Sequence, residues 1–377
     1  MYQPPQRIEY IDSLRGLAAL AVLLGHSFIF AWPAAVMQWF NYPLVNLAMD
    51  GRAAVAMFFV LSGFVLARPY FVSGTGTPSR AIYLPTFYLR RLTRIWLPWL
   101  FVFGLSALAQ VTIFQQWPQS PATNEWFQGF WQTPLTWMSF LRQCVFLEHN
   151  AHVQLLVQDW SLGVELKASA LLPLFIILAR NWSAWSLLPV SALFLALLPT
   201  GHYYVSFIMG VLLAQHGDPI VQWLKPKPLA VKASLLLAGL VFYQSNHLGG
   251  NLLTHPAGLK GCWLGTALGC ALILLASLSS CRMQATLRLP ALLFLGRISY
   301  SVYLLQFIVI LCLMPPWICA LNKLGIYQTS WLLPLELIGS VGLTVGLSAL
   351  TYRWVEIPCI DLGHWFSKAW QEKFLKP

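Results

Sequence analysis

The sequence predicts an all-α fold: a polytopic transmembrane helical bundle of about ten spans, with both termini cytoplasmic. Three observations predict it. Of the 377 residues, 58% are hydrophobic and only 9% charged, whereas soluble domains carry about 25% charged residues. Apolar runs approaching the ~20 residues that cross a bilayer recur near 14–32, 52–68, 95–114, 161–179, 184–199, 202–215, 229–245, 262–280, 291–314 and 331–352. With the N-terminus inside, 18 of the 23 Lys and Arg fall on the cytoplasmic side, leaving only Arg52, Arg142, Lys167, Lys260 and Lys323 on the other, as the positive-inside rule requires.

Composition also excludes function classes. A net charge of +11 suggests nucleic acid, but the basic residues are dispersed among apolar runs and no nucleic-acid module is visible. The seven cysteines form no CxxC or Cys/His spacing, so they read as small buried apolar residues, and neither disulfides nor a metal are expected. Residues 1–377 are expected to form a single transmembrane domain. Residues 353–377 form a short cytoplasmic tail that reads as an interfacial helix, with Trp365, Trp370 and Phe374 interleaved with Lys368, Lys373 and Lys376. No small-residue cleavage site follows the first apolar run, which is expected to stay as a span.

That first span carries the chain's most informative pair. Arg15 and His26 are eleven residues apart, close to three helical turns, so both lie on one face about 16 Å apart along the axis. The arginine can hold an anion at the cytoplasmic surface, and the imidazole sits where an ionisable group is costly and usually faces a bundle interior. The second span opens at Asp50 and Arg52 and contains Ser62-Gly63. That step either packs helices closely or lets a hydroxyl and a bare backbone approach a ligand. Arg90, Arg91 and Arg94 follow; Arg90 and Arg94 share a face by their four-residue spacing. Such planar cations bind phosphate bidentately, or anchor the chain on anionic lipid.

The stretch 115–160 reads as an outer loop, with an amphipathic or re-entrant piece over Trp131–Phe146 and with His149 and His152 in surface roles. Beyond it, Asp159, Trp160 and Glu165 stand at the mouth of the fourth span. A carboxylate inside an apolar helix needs a partner, and Glu165 is open to either a histidine or an arginine. The ninth span opens with Ser299, Tyr300, Ser301, Tyr303 and Gln306, and the last closes on Tyr352, Arg353 and Glu356.

Six motifs taken in order resemble the acyltransferase 3 family of integral membrane acyltransferases: Arg15-x10-His26, Phe59-x-x-Ser62-Gly63-Phe64, Arg90-Arg91-x-x-Arg94-Ile95-x-x-Pro98, Trp160-Ser161-Leu162-x-x-Glu165, Ser299-Tyr300-Ser301-x-Tyr303-Leu304, and Tyr352-Arg353-x-x-Glu356-x-Pro358. The resemblance implies an enzyme of the bacterial cytoplasmic membrane that moves acetyl from acetyl-CoA, the acyl donor, to a hydroxyl of a cell-envelope or exported carbohydrate. It implies His26 as base or acyl carrier, and Arg90, Arg91, Arg94 and Arg15 as holders of the coenzyme A phosphates. Ser62 would stabilise the oxyanion, Glu165 would orient acceptor or histidine, and Asp50, Asp159, Trp160 and Tyr303 would face the acceptor. Members commonly have a histidine where this chain has Gln306, so the burden of base catalysis falls on His26. Leu166-Lys167-Ala168 also replaces the glutamate and aromatic pair that often follow the first glutamate.

The rival reading is a transporter or flippase with a proton relay through His26 and Glu165. No inverted repeat supports it. Binding or slow hydrolysis of acetyl-CoA by the purified protein discriminates the two.

Overall fold

A computed structural model describes residues 8–30, 38–71, 83–114, 125–133, 135–147, 153–250, 254–326 and 328–374. Arg7, Arg80, Glu148, His149, His152 and Lys376 lie outside the described residues.

All regular structure among the described residues is helical. In chain order the α-helices are α1 (Glu9–Phe30), α2 (Pro43–Met49), α3 (Gly51–Phe71), α4 (Leu84–Thr112), α5 (Glu125–Gln128), α6 (Trp137–Cys144), α7 (Asp159–Asn181), α8 (Leu187–Leu197) and α9 (Gly201–Leu224). They continue with α10 (Leu229–Tyr243), α11 (Ser245–Leu248), α12 (Pro256–Ser279), α13 (Cys281–Leu287), α14 (Pro290–Ile308), α15 (Met314–Lys323), α16 (Thr329–Thr351) and α17 (Ile357–Phe374). Two π-helical segments, Val309–Leu313 and Tyr352–Glu356, join α14 to α15 and α16 to α17. Such wide turns concentrate at functional sites.

Seven helical stretches are long and apolar enough to cross a membrane, at Glu9–Ile29, Gly51–Phe71, Leu84–Thr112, Asp159–Asn181, Pro256–Ser279, Pro290–Lys323 and Trp331–Lys373. They coincide with seven of the ten expected spans. The other three fall on α8 and α10, which are only 11 and 15 residues long, and on α9, whose apolar run is diluted by His202, Gln215, His216 and Asp218.

The chain divides into two compact units. The first comprises Met1–Ala18, Pro43–Leu84 and Lys167–Arg297. Within it, α3 and α9 pack backbone to backbone: a side chain at Gly63 would strike the carbonyl of Phe207, and one at Gly210 would strike the carbonyl of Val60. Without a hydrophobic drive between helices in lipid, small residues of this kind set the contact. Gly269 is used in the same way against Tyr243 where α12 meets α10. Near the start of α1, Ser13 Oγ donates to the Leu287 carbonyl at 2.6 Å, and Gly16 lies against the backbone of Gly296.

The second unit comprises Ala19–Tyr42, Pro85–Leu166 and Ile298–Pro377. Its polar groups turn inward. On α6, Trp137, Met138 and Leu141 are exposed while Ser139 and Gln143 are buried. Gln143 Oε1 accepts from the Leu155 N–H at 2.8 Å and its amide nitrogen donates to Ser139 Oγ and the Val153 carbonyl. Polar inside and apolar outside is the arrangement that lipid imposes on irregular backbone, and it gives the expected amphipathic piece its form. Trp131 and Phe146 both hold positive φ, 59° and 55°, an uncommon conformation for bulky residues. The fold fixes both: Trp131 Nε1 donates to the Leu155 carbonyl, and Phe146 packs at a tilt against Trp99, ring centres 4.7 Å apart, over the bare Cα of Gly163.

Candidate active site

α1 runs unbroken from Glu9 to Phe30, so Arg15 and His26 keep the helical spacing that the sequence implies. Arg15 pairs with Asp12 at 3.2 Å in the first unit. His26 lies in the second, where its Nδ1 sits 3.0 Å from Gln306 Oε1. The amide cannot turn over freely, because Gln306 Nε2 donates to the Tyr303 carbonyl at 3.0 Å. Oε1 therefore faces the ring and accepts, Nδ1 carries the proton of the neutral imidazole, and the lone pair is on Nε2. Phe307 packs on the ring at 4.8 Å, and Phe127 and Phe130 lie beside Phe307, each at 5.8 Å. Phe127, Phe130 and Phe307 are buried and keep water away from that side.

The support continues into α7. Tyr303 OH lies 2.7 Å from Ser161 Oγ, and Gln158 Nε2 donates to the carbonyls of Tyr303 and Leu304 at 3.2 and 2.8 Å. Asp159 is buried and accepts from Gln154 at 3.1 Å, while Trp160 is exposed. Tyr303 and Asp159 thus hold the wall together, and Trp160 is the accessible side chain of the three.

Glu165 meets an arginine: its Oε1 accepts from Arg91 Nη2 at 2.9 Å. The neighbouring cations differ. Arg90 Nε donates to Ser367 Oγ on α17 at 3.1 Å, and Arg94 is exposed. Tyr300 OH donates to the Ile95 carbonyl at 2.6 Å, and Ser301 Oγ donates to Glu356 at 3.0 Å. The arginine-bearing start of α4 is in this way tied to α14 and α17.

Ser62 and Asp50 belong to the first unit. Ser62 is buried, and its neighbour Gly63 is filled by α9, so close helix packing accounts for that glycine. Asp50 caps α3, accepting from the Ala53 N–H at 3.0 Å. Burial pushes its carboxyl up, partly offset by the N–H groups of Ala53 and Arg52.

A family model described as an acyltransferase domain, of the acyltransferase 3 type, matches residues 8–353. The chain belongs to the acyltransferase 3 family. No curated protein and no solved structure matches it. As an acyltransferase 3 protein it is a multi-pass membrane enzyme that moves an acyl group from a donor to an acceptor. The candidate catalytic, donor and acceptor residues fall within the matched stretch, whereas Glu356 and Ser367, which brace the site, lie beyond it.

Two features escaped the sequence reading of this acyltransferase. Gln306 reads as the loss of a histidine, yet it holds the proton-bearing nitrogen of His26. Glu336 lies in an apolar run and is buried to 1% exposure; the signal for it was the presence of an acid at the fourfold spacing Glu336-x3-Ser340-x3-Thr344-x3-Ser348.

Proposed function

We propose that this enzyme transfers acetyl from acetyl-CoA to a hydroxyl of a cell-envelope or exported carbohydrate at the bacterial cytoplasmic membrane, with His26 as general base. The positive-inside charge bias supports an arginine-rich face toward the cytoplasm, where coenzyme A is available. Arg94 and Arg90 hold its phosphates there; Arg15, the other candidate, belongs to the first unit. Arg91 spends its charge on Glu165 and so positions the cluster more than it binds donor.

The proton bookkeeping is internal. His26 Nε2 takes the proton of the acceptor hydroxyl as its oxygen attacks the thioester carbonyl. The tetrahedral intermediate collapses, the C–S bond breaks, and the leaving thiolate takes the proton back from the imidazolium. Ester and coenzyme A thiol result, with no net proton released. Gln306 steadies the charged ring through Nδ1–H, as an orienting group does for a catalytic histidine.

The observation that supports this reading is the contact between His26 Nδ1 and Gln306 Oε1: with Nδ1–H as the donor there, Nε2 is the ring's proton acceptor. The test compares the masses of surface glycans from cells with the protein, without it, and with His26→Ala. A gain of one acetyl per modified unit that disappears in the last two strains is expected. Retained acetylation with folded His26→Ala protein removes the histidine from the mechanism.

A further inference from the structure

α16 is built inside out. Its well-buried residues are Glu336, Gly339, Ser340, Thr344 and Ser348, whereas Ile338, Leu343, Leu347 and Leu350 are exposed. Four polar side chains at four-residue spacing make one continuous face, and in a membrane helix such a face points into protein or a polar cavity. Only Ser340 has a hydrogen-bond partner: its Oγ lies 2.6 Å from Ser27 Oγ, on the residue next to His26. Both carboxyl oxygens of Glu336, Thr344 Oγ1 and Ser348 Oγ are buried with no partner among the described residues. Native interiors seldom leave such groups unsatisfied, and hydrocarbon penalises them. A face left this way is one that a polar molecule completes.

The face has two distinguishable ends. Its C-terminal end runs through the π segment to Glu356, bonded to Ser301, and on to α17, bonded to Arg90. That end carries the arginines. Glu336 lies 20 residues from Glu356, roughly 30 Å along the helix, and one turn beyond Ser340 on the side away from the cations. A carboxyl group there is poorly placed for a polyanionic donor and well placed to accept hydrogen bonds from hydroxyls.

We propose that Glu336 binds the acceptor of the reaction, taking hydrogen bonds from the hydroxyls of a polyol such as a sugar unit, so that one hydroxyl reaches the Ser27–Ser340 level beside His26. This rests on the acyl-transfer reading for what happens next, but not for the binding itself.

The test uses purified full-length protein in detergent, with de-acylated envelope glycan as acceptor probe and acetyl-CoA as donor. Two quantities are read: the upward shift in melting temperature that glycan alone produces, and the half-saturating glycan and acetyl-CoA concentrations for transfer. Glu336→Gln, which keeps one acceptor oxygen and loses the other, is expected to weaken the glycan-induced shift and to raise the half-saturating glycan concentration by about threefold to tenfold, the range for losing one hydrogen bond. Its acetyl-CoA KM stays within twofold. Glu336→Leu is expected to melt above wild type without glycan, because it removes a buried polar group that the fold does not partner. Ile338→Ala, on the exposed face, moves none of these. An unchanged glycan response in Glu336→Gln overturns the proposal, as does a changed acetyl-CoA KM in its place. Loss of folded protein in both variants assigns Glu336 to the fold and overturns it too. Wild type that binds glycan through Glu336 but transfers nothing refutes the acyl-transfer reading and leaves this one standing.

Discussion

His26 and Gln306, 280 residues apart in sequence, meet through Nδ1 and Oε1 at 3.0 Å, and the Tyr303 carbonyl holds the glutamine in the orientation that makes the imidazole a donor there. An amide cannot accept a proton in place of a histidine, but it can decide which ring nitrogen bears one. Removing it frees the ring to rotate and to adopt the other tautomer. Gln306→Leu is therefore expected to lower turnover by about tenfold to a hundredfold, and His26→Ala by about a hundredfold to ten-thousandfold, the range for a general base. The acetyl-CoA KM of Gln306→Leu stays near wild type. Steady-state kinetics on purified protein check both; a Gln306→Leu enzyme with wild-type turnover denies the glutamine any orienting role.

Arg91 and Glu165 form the second polar contact that shapes the site, at 2.9 Å with both side chains largely buried. Removing one partner leaves the other charge in a poorly hydrated place. Arg91→Leu or Glu165→Leu alone is expected to cost about 1–3 kcal/mol of stability, the scale of a hydrogen bond between charged groups. The double variant Arg91→Leu/Glu165→Leu recovers much of that loss. Melting temperatures of the two single variants and the double variant in detergent measure the coupling; strictly additive losses would show that the pair contributes nothing as a pair.

Part of this was legible in the sequence. Seven spans follow from apolar runs because lipid makes hydropathy a local property, and the Arg15–His26 register follows from helix geometry alone. The contacts that give those residues meaning are not local. Nothing near Glu165 decides between a histidine and an arginine as its partner, since Arg91 is 74 residues away. The Ser62-Gly63 step was open between packing and ligand, and the carbonyl of Phe207 against Gly63 is visible only once α9 is laid beside α3. Glu336 was hidden by averaging: a single acid in a 23-residue apolar helix scarcely changes its mean hydropathy, though its spacing to Ser340 marks a face.

Asp50 gives a pH dependence whose sign follows from its environment. Its carboxyl is raised above the ordinary value of 3.8, first by burial, against the opposing N–H groups of Ala53 and Arg52. A raised folded-state value means that the native protein holds the proton more tightly than the unfolded chain. Stability is then lost as pH rises from 3.8 through the folded value and is regained on acidification. Asp50→Asn keeps an oxygen to accept from the Ala53 N–H and removes the buried charge. It is expected to melt above wild type at neutral pH, with the difference shrinking to nothing in acid. A melting-temperature difference independent of pH rules out this account of the residue.

Two glycines on one helix provide a matched test of the α3–α9 contact. A Cβ at Gly210 would collide with the Val60 carbonyl and press on the Phe64 nitrogen, whereas one at Gly217 meets nothing within 4 Å. Backbone atoms in two packed helices cannot yield locally, so Gly210→Ala forces α3 and α9 apart along their whole seam. Gly217→Ala only gains helix propensity, worth up to about 1 kcal/mol. Gly210→Ala is expected to lower the melting temperature or abolish the folded yield, and Gly217→Ala to leave it level or raise it. The opposite order would mean that α3 and α9 do not meet along the Gly63–Gly210 seam.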